Sequence, residues 1–581
     1  MTAGTAWTFL LRSLPKGTGA YAGAATATTV GMASLLDMNS LPTTTRPAIC
    51  EAKATTATTT KSSSTKLQRK MSSAGRLSLY AETKENPFNP TLLVALVGKP
   101  FDKHDFEQLW NQREMPSRHP RFHQKVKSSS SSKTKTMKEE KETIVGGSSG
   151  GVFVPTQLPL ESHIKETAFP KIYHLELQER IQTLLQVPLQ VQNLLWQVEI
   201  SPGGPLGQSG AIAKDRAAEL VMEYTQRGDA EPKESLLLFR GHGALADGVS
   251  LAAAFMDLCD EAAELKQELE REIQNKRTQI KALRWWQRLT RLLHAIYYYT
   301  IGSWKAFSHY WKLYMSTPKN PFQQMKGLEN TTTKGERSLS WARVATVQEA
   351  EQVAQSLTKD NNKPVTIQDV MISCVSAAVA RQMQEHQMRY EMDQSSIRGN
   401  VKIPKHINVL VPVHPEGGRL KTGQAVGHRL GSFFAAVPSD LTMTAAQRLS
   451  QVHESLYPVQ HTTPAVFWSR VGSQLVSSLL SASWATSLWQ RAQPNVAFWV
   501  CTTRGPSRRI HWKGRAVQVQ QSFTPLPPGG IPIGISISTY AGDVHLSVTA
   551  EPWAVPDAER FLSWILEEYK FLYTESPLAL L

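Results

Sequence analysis

The chain has 581 residues, 41% of them hydrophobic, and a formal charge of +15 with an isoelectric point near 9.5. That length supports a large core and more than one domain. The charge favours anionic partners, and without helix-turn-helix, zinc-finger or RNA-binding signatures nucleic acid ranks last among them. The four cysteines, Cys50, Cys259, Cys374 and Cys501, lie far apart and form no CxxC. They exclude a disulfide scaffold and suit a reducing compartment.

Residues 1–75 are rich in Ala, Thr and Ser, with Asp37 and Glu51 as the first acids. This fits either an organellar transit peptide or a plain disordered leader. Leu92–Leu96 is a predicted strand. Lys103–Gln112 is a predicted helix with Phe106 and Trp110 one turn apart, and His119-Pro120-Arg121-Phe122 follows it. Residues 127–151, a Ser/Lys/Glu/Gly tract, read as a disordered insertion. Glu161-Ser162-His163-Ile164 then carries a histidine of structural character. Trp196 should anchor the strand Trp196–Ile200 against the core.

Residues 235–262 read SLLLFRGHGALADGVSLAAAFMDLCDEA. Leu236–Phe239 is an apolar run of strand length. From Val249 the period becomes helical, with Leu251, Phe255, Leu258, Cys259 and Ala262 on one face. The turn between them is either an ordinary connection capped by Asp247 or a platform that presents side chains into a cleft.

HGALADGVS resembles the HHxxxDG motif of the wax ester synthase/diacylglycerol acyltransferase (WS/DGAT) family, one of the acyltransferases similar to chloramphenicol acetyltransferase. The resemblance covers about Arg76 to Leu572, in family order, and implies an α/β fold: two mixed-sheet domains flanked by helices, with a tunnel between them. It implies transfer of a fatty acyl group from acyl-CoA, the substrate, to a fatty alcohol or diacylglycerol, with no permanently bound cofactor and no metal. In the family the second histidine is the general base, and that position is Gly243 here. Asp247 and Gly248 would hold the turn, Asp247 by pairing with a buried cation. His242 could replace the base if a bulge redirects it, since neighbouring strand residues otherwise face opposite ways. His428, in a turn where the family has Asn, is a further candidate. The remaining reading is a non-catalytic relative that binds acyl-CoA or lipid. The orientation of the His242 ring discriminates between these readings.

Residues 260–282 read as a solvated helix. The following stretch, 284–316, combines Trp285, Trp286, Tyr297, Trp304 and Trp311 with positive charges only. It falls short of the roughly 20 apolar residues that span a bilayer, so it is expected to lie at an anionic membrane surface, of the endoplasmic reticulum or a lipid body. A helix packed on a partner is the alternative. The first acyltransferase-like domain is thus expected over 76–316, a linker over 317–337 and a second such domain over 338–581.

In the second half a strand is predicted near Leu339–Val347. Thr366 should cap a helix that buries Val370, Cys374 and Ala378. Gln368 and Asp369 stand where the family has Asn-Asp, and Gln368 could donate to an oxyanion. Val409–Val413 is a strand, and helices are expected over 441–490, with Phe467 and Trp468 on an apolar face. Thr502–Pro506 resembles a family loop. Ile533–Tyr540 and Val544–Thr549 read as a hairpin around Ala541-Gly542, and Asp557–Phe571 as a closing helix.

Overall fold

The computed structural model describes residues 69–127, 152–167, 173–282, 336–358, 364–393, 403–413, 431–460 and 493–576, a few single positions excepted. It also describes scattered positions over 284–323 and 484–491, and Gly427. Most of the leader, residues 128–151 of the insertion, His428, Phe467 and Trp468 lie outside the described residues.

Two six-stranded mixed sheets form the body. The first runs, edge to edge, His511–Trp512, Arg515–Phe523, Thr91–Gly98, Lys233–Gly241, Trp196–Pro205 and Ile164–Glu166, with only the last pair parallel. The second runs Gly431–Pro438, His406–Val413, Val496–Arg504, Ile533–Tyr540, Asp543–Ala550 and Ser338–Thr346. Its central strand, Val496–Arg504, is parallel to both neighbours.

The apolar runs of the first sheet have a simple cause: both faces are buried. Leu93, Ala95, Val97, Leu236 and Leu238 point into one core, beside the helices Tyr173–Gln186 and Lys214–Gln226. Val94, Leu96, Leu237 and Phe239 point into the other, which holds the HGALADG turn. Trp196 is fully buried there. It stacks on Trp110 at 4.9 Å and on His163 at 4.4 Å between ring centroids. Its indole N–H donates to Phe122 O at 2.8 Å, and His163 Nδ1 donates to Trp196 O at 3.1 Å. Burial holds the His163 imidazole below its ordinary pKa, which agrees with a neutral, structural ring.

In the second sheet alternation separates two environments. Val409, Val411, Phe433, Ala435, Phe498 and Val500 enter a core covered by Ile367–Asp393, Ala445–Gln460 and Ala558–Glu575. Leu410, Phe434, Trp499 and Cys501 face the opposite way. That second face meets the first half of the chain.

Several sequence expectations need correction. Ordered structure begins before residue 76: Met71 is buried, and Ser72 caps the helix Ser73–Ala81 by accepting from Gly75 N. Lys127 belongs to the strand Gln124–Lys127, which pairs with Val152–Pro155, so the insertion joins two paired strands. Within 317–337, Phe322 is fully buried in the second core, and Asn320 Nδ2 donates to Val496 O at 2.8 Å. Those positions are anchored by burial and are not free linker. The helix begun at Gly248 ends at Met256, and a separate helix, Ala262–Ala282, follows. Finally, the second domain expected over 338–581 does not keep all of its strands to itself. His511–Trp512 and Arg515–Phe523 join the first sheet, because Arg515–Phe523 finds its antiparallel partner in Thr91–Gly98.

Glu234 supplies a pH-dependent element of this fold. It is completely buried, accepting from Ser209 Oγ at 2.7 Å and Gly207 N at 3.0 Å. Burial raises its pKa from 4.5 to about 7, against these hydrogen bonds. The folded state therefore holds the proton more tightly than the unfolded chain. The stabilisation is complete below pH 4.5 and is lost as pH rises through about 7; it is on the order of 3 kcal/mol. Glu234→Gln, whose amide can serve both partners, is expected to flatten that part of the stability–pH curve, read by urea unfolding between pH 4.5 and 8.

Candidate functional site

The motif strand Lys233–Gly241 ends against the segment before Thr91: Gly241 N donates to Pro90 O at 3.1 Å and Gly243 N to Phe88 O at 2.9 Å. The turn that follows is not a polar surface loop. His242, Ala244, Leu245, Ala246 and Asp247 are all buried.

The His242 ring is wholly buried. The Ala244 amide donates to His242 Nδ1 at 2.9 Å. An amide N–H can only donate, so Nδ1 accepts and Nε2 carries the proton. Nε2 donates to Glu82 Oε2 at 2.7 Å. Both ring nitrogens are committed inside the first half of the chain, and His242 is removed as a candidate base. Gly241 and Gly243 do not redirect it toward a substrate.

Gly243 has no room for the side chain that the resemblance would place there. A Cβ would sit 2.2 Å from Cδ1 of Phe88 and 2.7 Å from its Cε1. The Phe88 ring occupies that space and packs on Trp499, with centroids 6.0 Å apart.

Asp247 caps the helix Gly248–Met256, accepting from Ser250 N at 2.7 Å. The same turn grips the second half of the chain: Ser250 Oγ donates to Gly427 O at 2.6 Å. Arg121, of the His-Pro-Arg-Phe segment, braces it from the other side, donating from Nη1 to Leu245 O at 3.1 Å.

Between the sheets lies an apolar cavity of about 200 Å³. Leu92, Phe239, Val249 and Leu251 line it from the first half, and Leu410, Trp499 and Cys501 from the second. Phe88, Asp247 and Gly248 also line it; His242 and Gly243 do not. Two groups give it chemical character. Thr502 Oγ1 is buried with no hydrogen-bond partner among the described residues. The Cys501 thiol is pushed up to about 12 by burial, with the Asp247 charge adding to it against a hydrogen bond to Thr524. It is therefore protonated at neutral pH and a poor nucleophile.

Gln368 and Asp369 lie elsewhere. Asp369 is buried in a reciprocal cap with Thr366, accepting from Thr366 N at 3.0 Å while its own N–H donates to Thr366 Oγ1 at 3.2 Å. Its Oδ2 also bonds His453 Nδ1 at 3.0 Å. Neither residue lines the cavity, because this helix end packs on Ala445–Gln460. Sequence reasoning missed Glu82, Phe88 and Trp499, which no local pattern distinguishes, and marked Thr502 only as the start of a family-like loop; only the meeting of distant segments brings the four together. Among the described residues, no group of three or more His, Cys, Asp or Glu could hold a metal.

Residues 426–572 match the family described as the WS/DGAT C-terminal domain, and the resemblance read from the sequence is borne out there. No match was found among curated protein sequences. Among solved structures, a wax ester synthase/diacylglycerol acyltransferase from Marinobacter aquaeolei VT8 is similar at 14% identity, covering 87% of this chain and 98% of that one, with a TM-score of 0.46. The trichothecene 15-O-acetyltransferase of Fusarium sporotrichioides is similar at 8% identity, covering 87% and 95%, with a TM-score of 0.49. A variant starter condensation domain of rhizomide synthetase, solved with C8-CoA, is similar at 10% identity, covering 87% and 95%, with a TM-score of 0.46.

Proposed function

We propose, from the WS/DGAT C-terminal domain that residues 426–572 match, that this chain is an acyl-CoA-dependent O-acyltransferase acting on a fatty alcohol or diacylglycerol. The observation that supports this most is the apolar cavity, built jointly by the HGALADG turn and by Trp499–Thr503 of the matched segment. Its lining suits a fatty acyl chain, whose burial is favourable by about 0.8 kcal/mol per methylene. In the reaction the alcohol oxygen bonds the thioester carbonyl carbon, the C–S bond breaks, and CoA leaves as the thiolate. A base must take the hydroxyl proton, which afterwards protonates the thiolate. The Thr502 hydroxyl supports the reading further, since an acyl carbonyl would give it the acceptor it lacks.

The base is not His242, and Gly243 supplies none. His428 is the sequence candidate for that role. A second reading, a non-catalytic acyl-CoA or lipid binder, is favoured by one observation: the Phe88 ring standing in the space above Gly243. The test uses the full chain, because removing residues 1–75 would delete Met71 and the Ser72 cap. Long-chain acyl-CoA is offered with a fatty alcohol and with diacylglycerol, beside a His428→Ala variant. Ester formation by the parent, lost in His428→Ala, supports a working enzyme with a relocated base. Acyl-CoA binding without ester favours the binder. Neither binding nor ester sinks both.

Attachment to an anionic membrane surface belongs to the same proposal. Among the described residues no helix is long and apolar enough to cross a membrane. Yet Trp285 is 76% exposed and Trp304 60% exposed, with Leu293 and Ile296 also open to solvent between them. Such a face suits insertion at headgroup depth. Trp285→Glu with Trp304→Glu is expected to lower co-sedimentation with phosphatidylserine-containing vesicles at least tenfold; unchanged binding would remove this segment as the anchor.

A further inference from the structure

We infer that Phe88 sets the depth of the acyl cavity and excludes any side chain from position 243, and that the Glu82–His242 pair holds it there. This rests on the reading of the cavity as an acyl-chain site. Three observations converge. Glu82 is shared: its Oε1 accepts from Phe88 N at 3.2 Å and its Oε2 accepts from His242 Nε2 at 2.7 Å. The Phe88 carbonyl in turn accepts from Gly243 N at 2.9 Å. The backbone of Phe88 is thus fastened on both sides, to the strand end and to the motif histidine.

With its backbone fixed, the ring has a defined place. It stands over Gly243, where a Cβ would come within 2.2 Å of it, and it lines the cavity against Trp499. No real Cβ tolerates that distance, so a side chain at 243 requires the ring at 88 to leave the place it holds here. The motif histidine that remains, His242, has become part of the fastening. Phe88 accordingly acts as a specificity-determining wall of the cavity, and Glu82 and His242 as positioning residues.

Two measurements test this on the full chain. The first is a double-mutant cycle in thermal unfolding with Gly243→Ala and Phe88→Ala. Gly243→Ala is expected to lower the melting temperature in the parent and to leave it unchanged in the Phe88→Ala background. An equal loss in both backgrounds overturns the exclusion. The second is displacement of a fluorescent fatty acid by saturated acyl-CoAs from lauroyl to arachidoyl. Phe88→Ala is expected to shift preference toward longer chains, by about tenfold in relative affinity for two further methylenes, with Phe88→Leu intermediate and guarding against loss of fold. A parent that binds, with the same chain preference in both variants, overturns Phe88 as the determinant while the acyl-site reading stands. A parent that binds no acyl-CoA overturns that reading and the chain-length role with it, and the unfolding cycle still decides the exclusion.

Discussion

His242→Ala is expected to cost about 3–5 kcal/mol of stability and, by loosening the hold on Phe88, to shift acyl-chain preference without abolishing acyl transfer per folded molecule. The histidine is wholly buried, and its partner Glu82 has a side chain only 2% exposed. Removing the ring takes away one of that carboxylate's two donors and leaves the Ala244 amide without its partner, and each loss carries its own desolvation penalty. Glu82→Gln should cost less, because an amide oxygen still accepts from one of the two donors. Urea unfolding of both variants, with transfer normalised to folded protein, checks this. A His242→Ala protein as stable as the parent but a thousandfold slower would restore His242 as the base.

Arg448→Ala is expected to destabilise by a similar 3–5 kcal/mol, far from the cavity. The Arg448 side chain is 3% exposed and that of Glu568 7%, with Nε donating to Oε1 at 3.1 Å. Nη1 also donates to Asp440 O at 3.0 Å. The pair ties the helix Ala445–Gln460 to Ala558–Glu575 under the second sheet. Truncation leaves Glu568 charged and buried, whereas Arg448→Met combined with Glu568→Leu removes both charges and should recover most of the loss. If Arg448→Ala and the double replacement unfold at the same denaturant concentration as the parent, the pair contributes nothing and the helices are held by apolar packing alone.

The two expectations draw on different levels of information. Arg448 and Glu568 sit unremarked in helical stretches, and no spacing rule joins residues so far apart. His242 was conspicuous in the sequence, but its role stayed open there. Strand alternation raised the question of which face it takes; it could not show that Glu82 waits on the inner one.

Local order was legible wherever one short-range rule dominated. The helix Lys103–Gln112 and the strand Ile533–Tyr540 stand at their predicted bounds. The turn Ala541-Gly542 takes positive φ at both positions, 49° and 89°, as a two-residue hairpin turn requires. Thr366 caps its helix as read, and Asp557, read only as the start of the closing helix, caps that one. Arg515–Phe523 shows the limit: pairing this strand with Thr91–Gly98 depends on contacts across more than four hundred positions of chain.

The sequence by itself determined the kind of fold, the motif turn with its Asp247 cap, and the missing histidine at position 243, because these follow from periodicity, capping and residue identity. The tertiary structure alone decided what fills that absence. Pairing of Gly243 N with Phe88 O, and the shared carboxylate of Glu82, bring a phenyl ring from the preceding loop into the motif. The physical reason is close packing: a missing side chain in a buried turn leaves a void, and the nearest apolar group that can reach it fills it.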